Sequence, residues 1–162
     1  MLLNMFKKAK LQIYTPVQGR IVPLEEVPDP VFNQKMMGEG AAVIPAKGDI
    51  CAPVAGTIIQ IAPTKHAVGI LAEDGTEILI HVGLETVALK GNGFNVVTGE
   101  GDKVSVGQSL IEVDWEYISA HAKSIITPIV ITNSQQGNKQ YAVTGEKEGI
   151  PGKTVIITAS VK

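Results

Sequence analysis

Residues 64–83, T-K-H-A-V-G-I-L-A-E-D-G-T-E-I-L-I-H-V-G, read as a β-hairpin. An apolar run from Ala67 to Leu71 leads into a polar turn at Asp74-Gly75, and a second strand follows from Glu77 to Val82. With Asp74 and Gly75 at the centre of the turn, His81 faces Val68 and His66 faces Gly83. Residues two apart on a strand share a face, so the two histidines are expected as diagonal neighbours with Cβ atoms roughly 7–8 Å apart. A four-residue loop, Glu73 to Thr76, keeps that arrangement. An odd-length loop shifts the register and sends the histidines to opposite faces.

Outward from the hairpin, short runs rich in Val, Ile and Thr alternate with Gly and Pro. Ala41–Ile44, Gly48–Ala52, Gly56–Ala62, Val87–Leu89, Phe94–Thr98, Ser109–Val113, Ile125–Thr132, Gln140–Val143 and Thr154–Ala159 read as strands. Helical turns fit only near Val31–Met36 and Trp115–Ala122. No 10–15-residue helical segment follows each strand, which argues against an α/β fold. The expected class is all-β, an antiparallel β-sandwich of barrel-sandwich type with short helical turns. T-P-V-Q-G-R-I (Thr15–Ile21) echoes A-P-V-A-G-T-I (Ala52–Ile58), as a structural duplication or as shared turn grammar.

The chain has 162 residues, enough for a full core, with 14 basic against 16 acidic residues and a net charge of -2. Nothing suggests a polybasic surface for nucleic acid. Cys51 is the only cysteine, which favours a cytoplasmic setting, and its G-D-I-C-A-P-V context reads as a small core residue. The start, M-L-L-N-M-F-K-K-A-K, lacks the pattern of a secretory signal. Residues 1–12 read as a flexible N-terminal arm and residues 13–162 as one domain.

A neutral imidazole has one lone-pair nitrogen, one N–H, and a pKa of about 6.5. Two of them on one strand face suit phosphoryl carriage, one ring as nucleophile and the other as hydrogen-bond donor. They also suit metal binding with a carboxylate such as Glu85 or Asp29, although no H-E-x-x-H or second cysteine supports it. His121, in the unpatterned S-A-H-A-K, reads as an ordinary structural histidine.

The segment I-L-I-H-V-G-L-E-T-V-A-L-K-G-N-G-F (Ile78–Phe94) closely resembles the phosphohistidine segment of the glucose-type enzyme IIA components of the bacterial sugar phosphotransferase system. Further matches, in family order, are P-D-P-V-F (Pro28–Phe32), M-G-E-G (Met37–Gly40), A-P-V-A-G-T-I, P-T-K-H-A-V-G (Pro63–Gly69), G-D-K-V-x-x-G-Q and T-P-I-V-I-T-N (Thr127–Asn133). The resemblance spans roughly Tyr14 to Lys162. It implies a shallow active depression in which His81 accepts a phosphoryl group on Nε2 from the carrier protein HPr. His81 would pass it to a cysteine of an enzyme IIB domain, with only peripheral contact to the membrane permease. His66, hydrogen-bonded to Thr64, would steady the group, and the Gly83 carbonyl would hold the Nδ1–H of His81. Asp29 and Glu85 would flank the site, and Phe32, Leu79 and Val82 would supply an apolar docking surface. The resemblance brings no cofactor and no metal is assigned.

Three positions depart from the family pattern. Glu85 stands where aspartate is frequent, while Ala62 and Leu79 replace aromatic residues. These changes leave the transported sugar open. Two other readings fit parts of the chain. The first is a lipoyl- or biotinyl-like carrier, suggested by the Gly101-Asp102-x-Val104-x-x-Gly107-Gln108 framework and by Lys35-Met36-Met37. The second is a zinc-dependent hydrolase using His66 and His81.

Overall fold

A computed structural model describes residues 10–162. The strands are β1 (Lys10–Tyr14), β2 (Gln18–Pro23), β3 (Glu39–Lys47), β4 (Ile50–Cys51), β5 (Gly56–Ile61), β6 (Ala67–Ala72), β7 (Glu77–His81), β8 (Phe94–Val96), β9 (Lys103–Val104), β10 (Ser109–Val113), β11 (Thr127–Ile131), β12 (Lys139–Val143), β13 (Glu148–Gly149) and β14 (Val155–Val161). Two short helices, α1 (Pro30–Asn33) and α2 (Trp115–His121), and 3₁₀ turns at Leu24–Glu26 and Thr86–Leu89 complete the described chain. All named strand pairings are antiparallel. They form an eight-stranded sheet ordered β13-β2-β3-β11-β7-β6-β5-β9 and two three-stranded sheets, β1-β14-β12 and β4-β10-β8. This is the expected all-β antiparallel sandwich. No helix among the described residues is long and apolar enough to cross a membrane.

The echo between Thr15–Ile21 and Ala52–Ile58 is a duplication in space. The large sheet reads the same from either edge when β13, β2, β3 and β11 are matched to β9, β5, β6 and β7, and the two small sheets match likewise. Segment β4–β10 is thus one contiguous copy inserted between β3 and β11 of the other. Reciprocal bonds join the copies, Tyr14 N–H to the Pro53 carbonyl at 2.9 Å and Cys51 N–H to the Pro16 carbonyl at 2.7 Å.

Apolar residues face two ways from the large sheet. The main core takes Ile78, Ile80 and Val82 together with Val68, Ile70, Ile129 and Ile131. A second cluster on the other face gathers Val22, Leu24, Val27, Phe32, Ala42, Leu84, Ile126 and Val130. β11 lies between the two clusters, so every residue of T-P-I-V-I is buried, which is why it reads as a continuous apolar run and not an alternation. β7 keeps the alternation: Ile78 and Ile80 are buried, while Leu79 and His81 on the opposite side are half-buried.

Three expectations are corrected. The hairpin pairs Ala67 with His81 and Val68 with Ile80, one residue out of the expected register. Its loop is Glu73–Gly75: Gly75 N–H reaches the Ala72 carbonyl, Ala72 N–H reaches the Thr76 carbonyl, and Gly75 takes φ +90°. That is a type I turn closed by a left-handed glycine, which favours three residues over four. Val87–Leu89, expected as a strand, belongs to the 3₁₀ turn Thr86–Leu89. The arm is also shorter than expected, because Lys10, Leu11 and Gln12 pair with Ser160, Ala159 and Thr158. The remainder of the expected arm, residues 1–9, lies outside the described residues.

Candidate functional site

His81 is the last residue of β7, and the chain turns sharply after it. Val82 N–H donates to the His66 carbonyl at 2.7 Å, and Leu84 bridges Ser124. The Thr86 hydroxyl closes the turn on the Val82 carbonyl at 2.7 Å. Gly83 sits at φ +74°, where a Cβ would meet Thr86 Cγ2 at 2.7 Å and the Ser124 carbonyl oxygen at 2.8 Å. The turn accepts only glycine without rearrangement. It points the Gly83 carbonyl at the His81 ring, 2.8 Å from Nδ1. A carbonyl only accepts, so Nδ1 carries the proton and Nε2 keeps its lone pair.

In the observed register His66 lies opposite Val82, and strict alternation would send its side chain into the main core with that valine. It escapes because the β5–β6 connection, residues 62–66, has left the strand. Lys65 adopts φ +65° and its N–H turns back to the Ala62 carbonyl. The rings of His66 and His81 therefore meet edge to face, centroids 4.8 Å apart at 76°. The expected juxtaposition exists, but a loop produces it and the predicted pairing does not. Nδ1 of His66 is 2.8 Å from Thr64 Oγ1.

On the other flank, the Phe32 ring lies 5.2 Å from His81 at 58°. Phe32 is carried by α1, which Asp29 caps by accepting the Val31 N–H at 2.9 Å, with Pro30 supplying a preset first turn. Lys123 Nζ holds the preceding Pro28 carbonyl at 3.1 Å. An open depression of about 370 Å³ results, lined by Asp29, Val31, Phe32, Met37, His81, Glu85, Thr86 and Val87. Glu85 enters it from a left-handed backbone, φ +58°.

The structure thus brings together Asp29, Phe32, His66, His81, Gly83, Thr64 and Glu85. Val82 is corrected: it is 0% exposed and belongs to the main core, so it offers no docking surface. Phe32, at 3%, is a floor more than a rim. Leu79 is half-buried against the second cluster. The apolar rim is formed by Met37, which the sequence allows as a sticky rim or a core residue, and by two residues the sequence does not single out, Val31 and Val87, 39% and 57% exposed. Val31 stood inside the P-D-P-V-F motif, where a helical turn beginning at a capped proline would have turned Val31 and Phe32 to different sides. Met36 and Met37 divide similarly, Met36 being 69% exposed while Met37 lines the depression.

His121 stacks on Tyr117 with centroids 4.1 Å apart and holds the Tyr117 carbonyl through Nδ1, away from the histidine pair. Cys51 is only half-buried, and burial with the nearby Asp49 charge pushes its thiol pKa up. Lys35 lies between α1 and β3 and not at the hairpin tip that a lipoyl-type attachment point requires, and its ammonium pairs with Glu25 and Glu39. Among the described residues no group of three His, Cys, Asp or Glu is placed to hold a metal ion.

Burial lowers the pKa of both site histidines. For His66 the neighbouring His81 adds to the effect, while the Thr64 contact opposes it; for His81 the Gly83 bond and the Asp29 charge oppose it. Both rings are neutral at pH 7. Folding favours the neutral form, so this contribution is complete above about pH 6.5 and is lost as pH falls through the lowered folded values. A histidine-resolved NMR titration should give midpoints below the free value for both rings, together with a falling denaturation midpoint on acidification. Midpoints at or above the free value would contradict the desolvated pair.

Gly83→Ala should cost about 2 kcal/mol in chemical denaturation, from the left-handed φ and the collision with backbone. It should also release the His81 Nδ1–H, seen as faster exchange of that proton. An alanine variant with wild-type stability would show that the turn is not confined as described.

Comparisons with known proteins place the whole chain in a family. Residues 11–137 match the family described as phosphoenolpyruvate-dependent sugar phosphotransferase system, EIIA 1. The glucose-specific EIIA component of Staphylococcus epidermidis is 45% identical over 163 residues, covering 98% of each chain. That of Halalkalibacterium halodurans is 49% identical over 153 residues, covering 93% of this chain and 86% of its own. The solved glucose permease IIA of Mycoplasma capricolum superposes with a TM-score of 0.84 at 38% identity, covering 92% of this chain and 96% of its own. With a family match across most of its length and relatives near half identity, the chain belongs to the EIIA 1 family of the phosphoenolpyruvate-dependent sugar phosphotransferase system.

Proposed function

We propose that the protein carries a phosphoryl group on His81 Nε2, taken from the phosphohistidine of HPr and delivered to a cysteine of a sugar-specific enzyme IIB domain. The observation that carries this reading is the 2.8 Å contact of His81 Nδ1 with the Gly83 carbonyl. It fixes the tautomer that leaves Nε2 with its lone pair free at neutral pH. In the accepting step the Nε2 lone pair attacks phosphorus, the bond to the donor's nitrogen breaks with its electron pair leaving on that nitrogen, and the positive charge settles on the His81 ring. The Gly83 carbonyl dipole stabilises that charge.

His66 acts as the second ring. With the Thr64 hydroxyl donating to its Nδ1, His66 presents an Nε2–H to the phosphoryl oxygens. Such positioning and charge stabilisation supply most of what phosphoryl transfer requires. Asp29 and Glu85 repel the bound dianion and favour its departure, and they meet basic residues on the partners. Val31, Met37 and Val87 form the apolar part of a transient interface. The relatives are named glucose-specific, which makes a glucose-type permease the first acceptor to try.

The test is transfer from phosphorylated HPr, with the label located by fragmentation mass spectrometry and chased onto a purified IIB domain. Acid-labile, base-stable phosphate on His81 that moves to the IIB cysteine is expected. Phosphate on any other residue, or none, rejects the assignment.

A further inference from the structure

The His81 tautomer depends on the Gly83 carbonyl, and glycine is the residue least able to hold its own carbonyl still. Without a Cβ, the two peptide planes that meet at Gly83 swing freely unless each is tied from outside. The plane after it is tied by the Leu84 N–H, which donates to the Ser124 carbonyl at 2.9 Å. In a trans peptide the N–H and C=O point opposite ways, so anchoring that N–H turns the Gly83 carbonyl back toward His81. A single hydrogen bond is a pivot: it sets a direction without setting a place. The second anchor is on the plane before Gly83. There the Thr86 hydroxyl donates to the Val82 carbonyl at 2.7 Å, and the Thr86 methyl lies 2.7 Å from where a Cβ on Gly83 would be.

The Val82 carbonyl needs that hydroxyl for a reason that lies on the neighbouring strand. Residues in a hydrogen-bonded antiparallel pair exchange both N–H···O bonds. Val82 gives its N–H to the His66 carbonyl at 2.7 Å, and the regular return bond would come from the His66 N–H. The left-handed turn at Lys65, which releases His66 from the strand, leaves the Val82 carbonyl to another donor. Val82 is 0% exposed, so water does not serve, and Thr86, equally buried, supplies the bond from within the turn. A carbonyl left unpaired at such a place carries the cost of a buried unsatisfied group. Its relief is rotation of the Val82–Gly83 plane, which moves the Gly83 carbonyl off His81.

We infer that Thr86 is a positioning residue for phosphoryl transfer: its hydroxyl replaces the strand bond that His66 gives up, and by holding the Val82–Gly83 peptide it keeps the His81 proton on Nδ1. This rests on the phosphoryl-carrier reading above and adds the group that lets one ring leave the sheet without disturbing the other. The hydroxyl is committed to Val82, so Thr86 acts through the Gly83 carbonyl and not on the cargo.

The experiment uses the full chain at a pH where both site histidines are neutral, and reads the two ring nitrogens of His81 by long-range proton–nitrogen NMR before any donor is added. The wild type should show Nδ1 as an N–H nitrogen and Nε2 as a lone-pair nitrogen. Thr86→Val keeps the shape and removes the hydroxyl. Its two signals should draw together as the second tautomer fills, and acceptance at saturating phosphorylated HPr should slow several-fold with the half-saturating donor concentration unchanged. Thr86→Ser keeps the hydroxyl and should keep both the nitrogen pattern and the rate. Thr86→Ala opens the turn to water from the depression that Thr86 lines. That water spares the fold if the valine variant is lost, but it does not fix the plane, so the signals should move as in valine. Wild-type signals in the hydroxyl-free variants would overturn the proposal, as would a rate loss in Thr86→Ser equal to that in Thr86→Val, which would make the residue packing alone. Failure of the carrier reading looks different: the signals answer to Thr86 as expected while fragmentation finds phosphate on a residue other than His81, and the part of Thr86 in transfer falls with it.

Discussion

His81→Ala is expected to abolish phosphoryl acceptance, a drop of more than about 10⁴-fold, as removal of a nucleophile does elsewhere. Among the described residues no neighbouring group is placed to substitute. His66 is 8% exposed, and its Nδ1 is taken up by Thr64, so the ring that remains presents its edge to the vacated space and not a lone pair to the solvent. His121 is held on α2 by Tyr117. Asp29 is occupied as the α1 cap, and an acyl phosphate there would be base-labile and therefore distinguishable. The fold should survive, because His81 is half-buried at a strand end and its side-chain hydrogen bond to Gly83 is local. A change within about 1 kcal/mol is expected from removing such a side chain. Near-native circular dichroism with no label in the transfer assay is thus the expected pair of results. Label that persists in a folded His81→Ala protein would defeat the assignment and move the search to His66.

The architecture was legible in the sequence because β-rich chains carry it in local pattern. The short Val- and Ile-rich runs and the Gly and Pro punctuation were enough for an antiparallel sandwich, and the T-P-V-Q-G-R-I and A-P-V-A-G-T-I echo held the duplication. Register was harder. The choice between a two- or four-residue loop and a three-residue loop at Asp74-Gly75 turns on whether Gly75 is a central residue or the left-handed closing one, and both are ordinary turn chemistry. The two histidine rings nevertheless meet, since two departures from the expected hairpin compensate: the shifted register moved His66 to the wrong parity, and the left-handed Lys65 released it from parity altogether. Val82 shows the opposite failure. It lies beside His81 in sequence and was placed with the docking residues, yet strand alternation sends it to the main core. The rim valines were missed because Val87 reads as strand in isolation, and only the turn forced by Gly83 and Thr86 lifts it out of the sheet. The pairing of Asp29 with Glu85 around one depression depends on chain segments far apart in sequence, which no local pattern reveals.

His66→Ala separates acceptance from delivery. If the second ring stabilises charge developing on the phosphoryl oxygens during delivery, its loss should leave His81, whose nucleophilic Nε2 is untouched, able to take phosphate from HPr. Onward transfer to the IIB cysteine should fall by about 10²–10³-fold, the usual cost of one preorganised hydrogen-bond donor. His66→Gln tests the mechanism more sharply, since a side-chain amide returns one N–H near the place of Nε2–H without any basic nitrogen. Partial recovery in glutamine is expected if donation is what matters, and none if proton transfer is. Thr64→Val should weaken delivery more mildly, about tenfold, by freeing the tautomer that the 2.8 Å contact with Nδ1 selects. Rapid-quench measurement of the two half-reactions decides among these outcomes. Equal loss in acceptance and delivery would show that His66 holds the shape of the site and does not act on its cargo. Wild-type delivery from the alanine variant would remove the ring from the chemistry entirely.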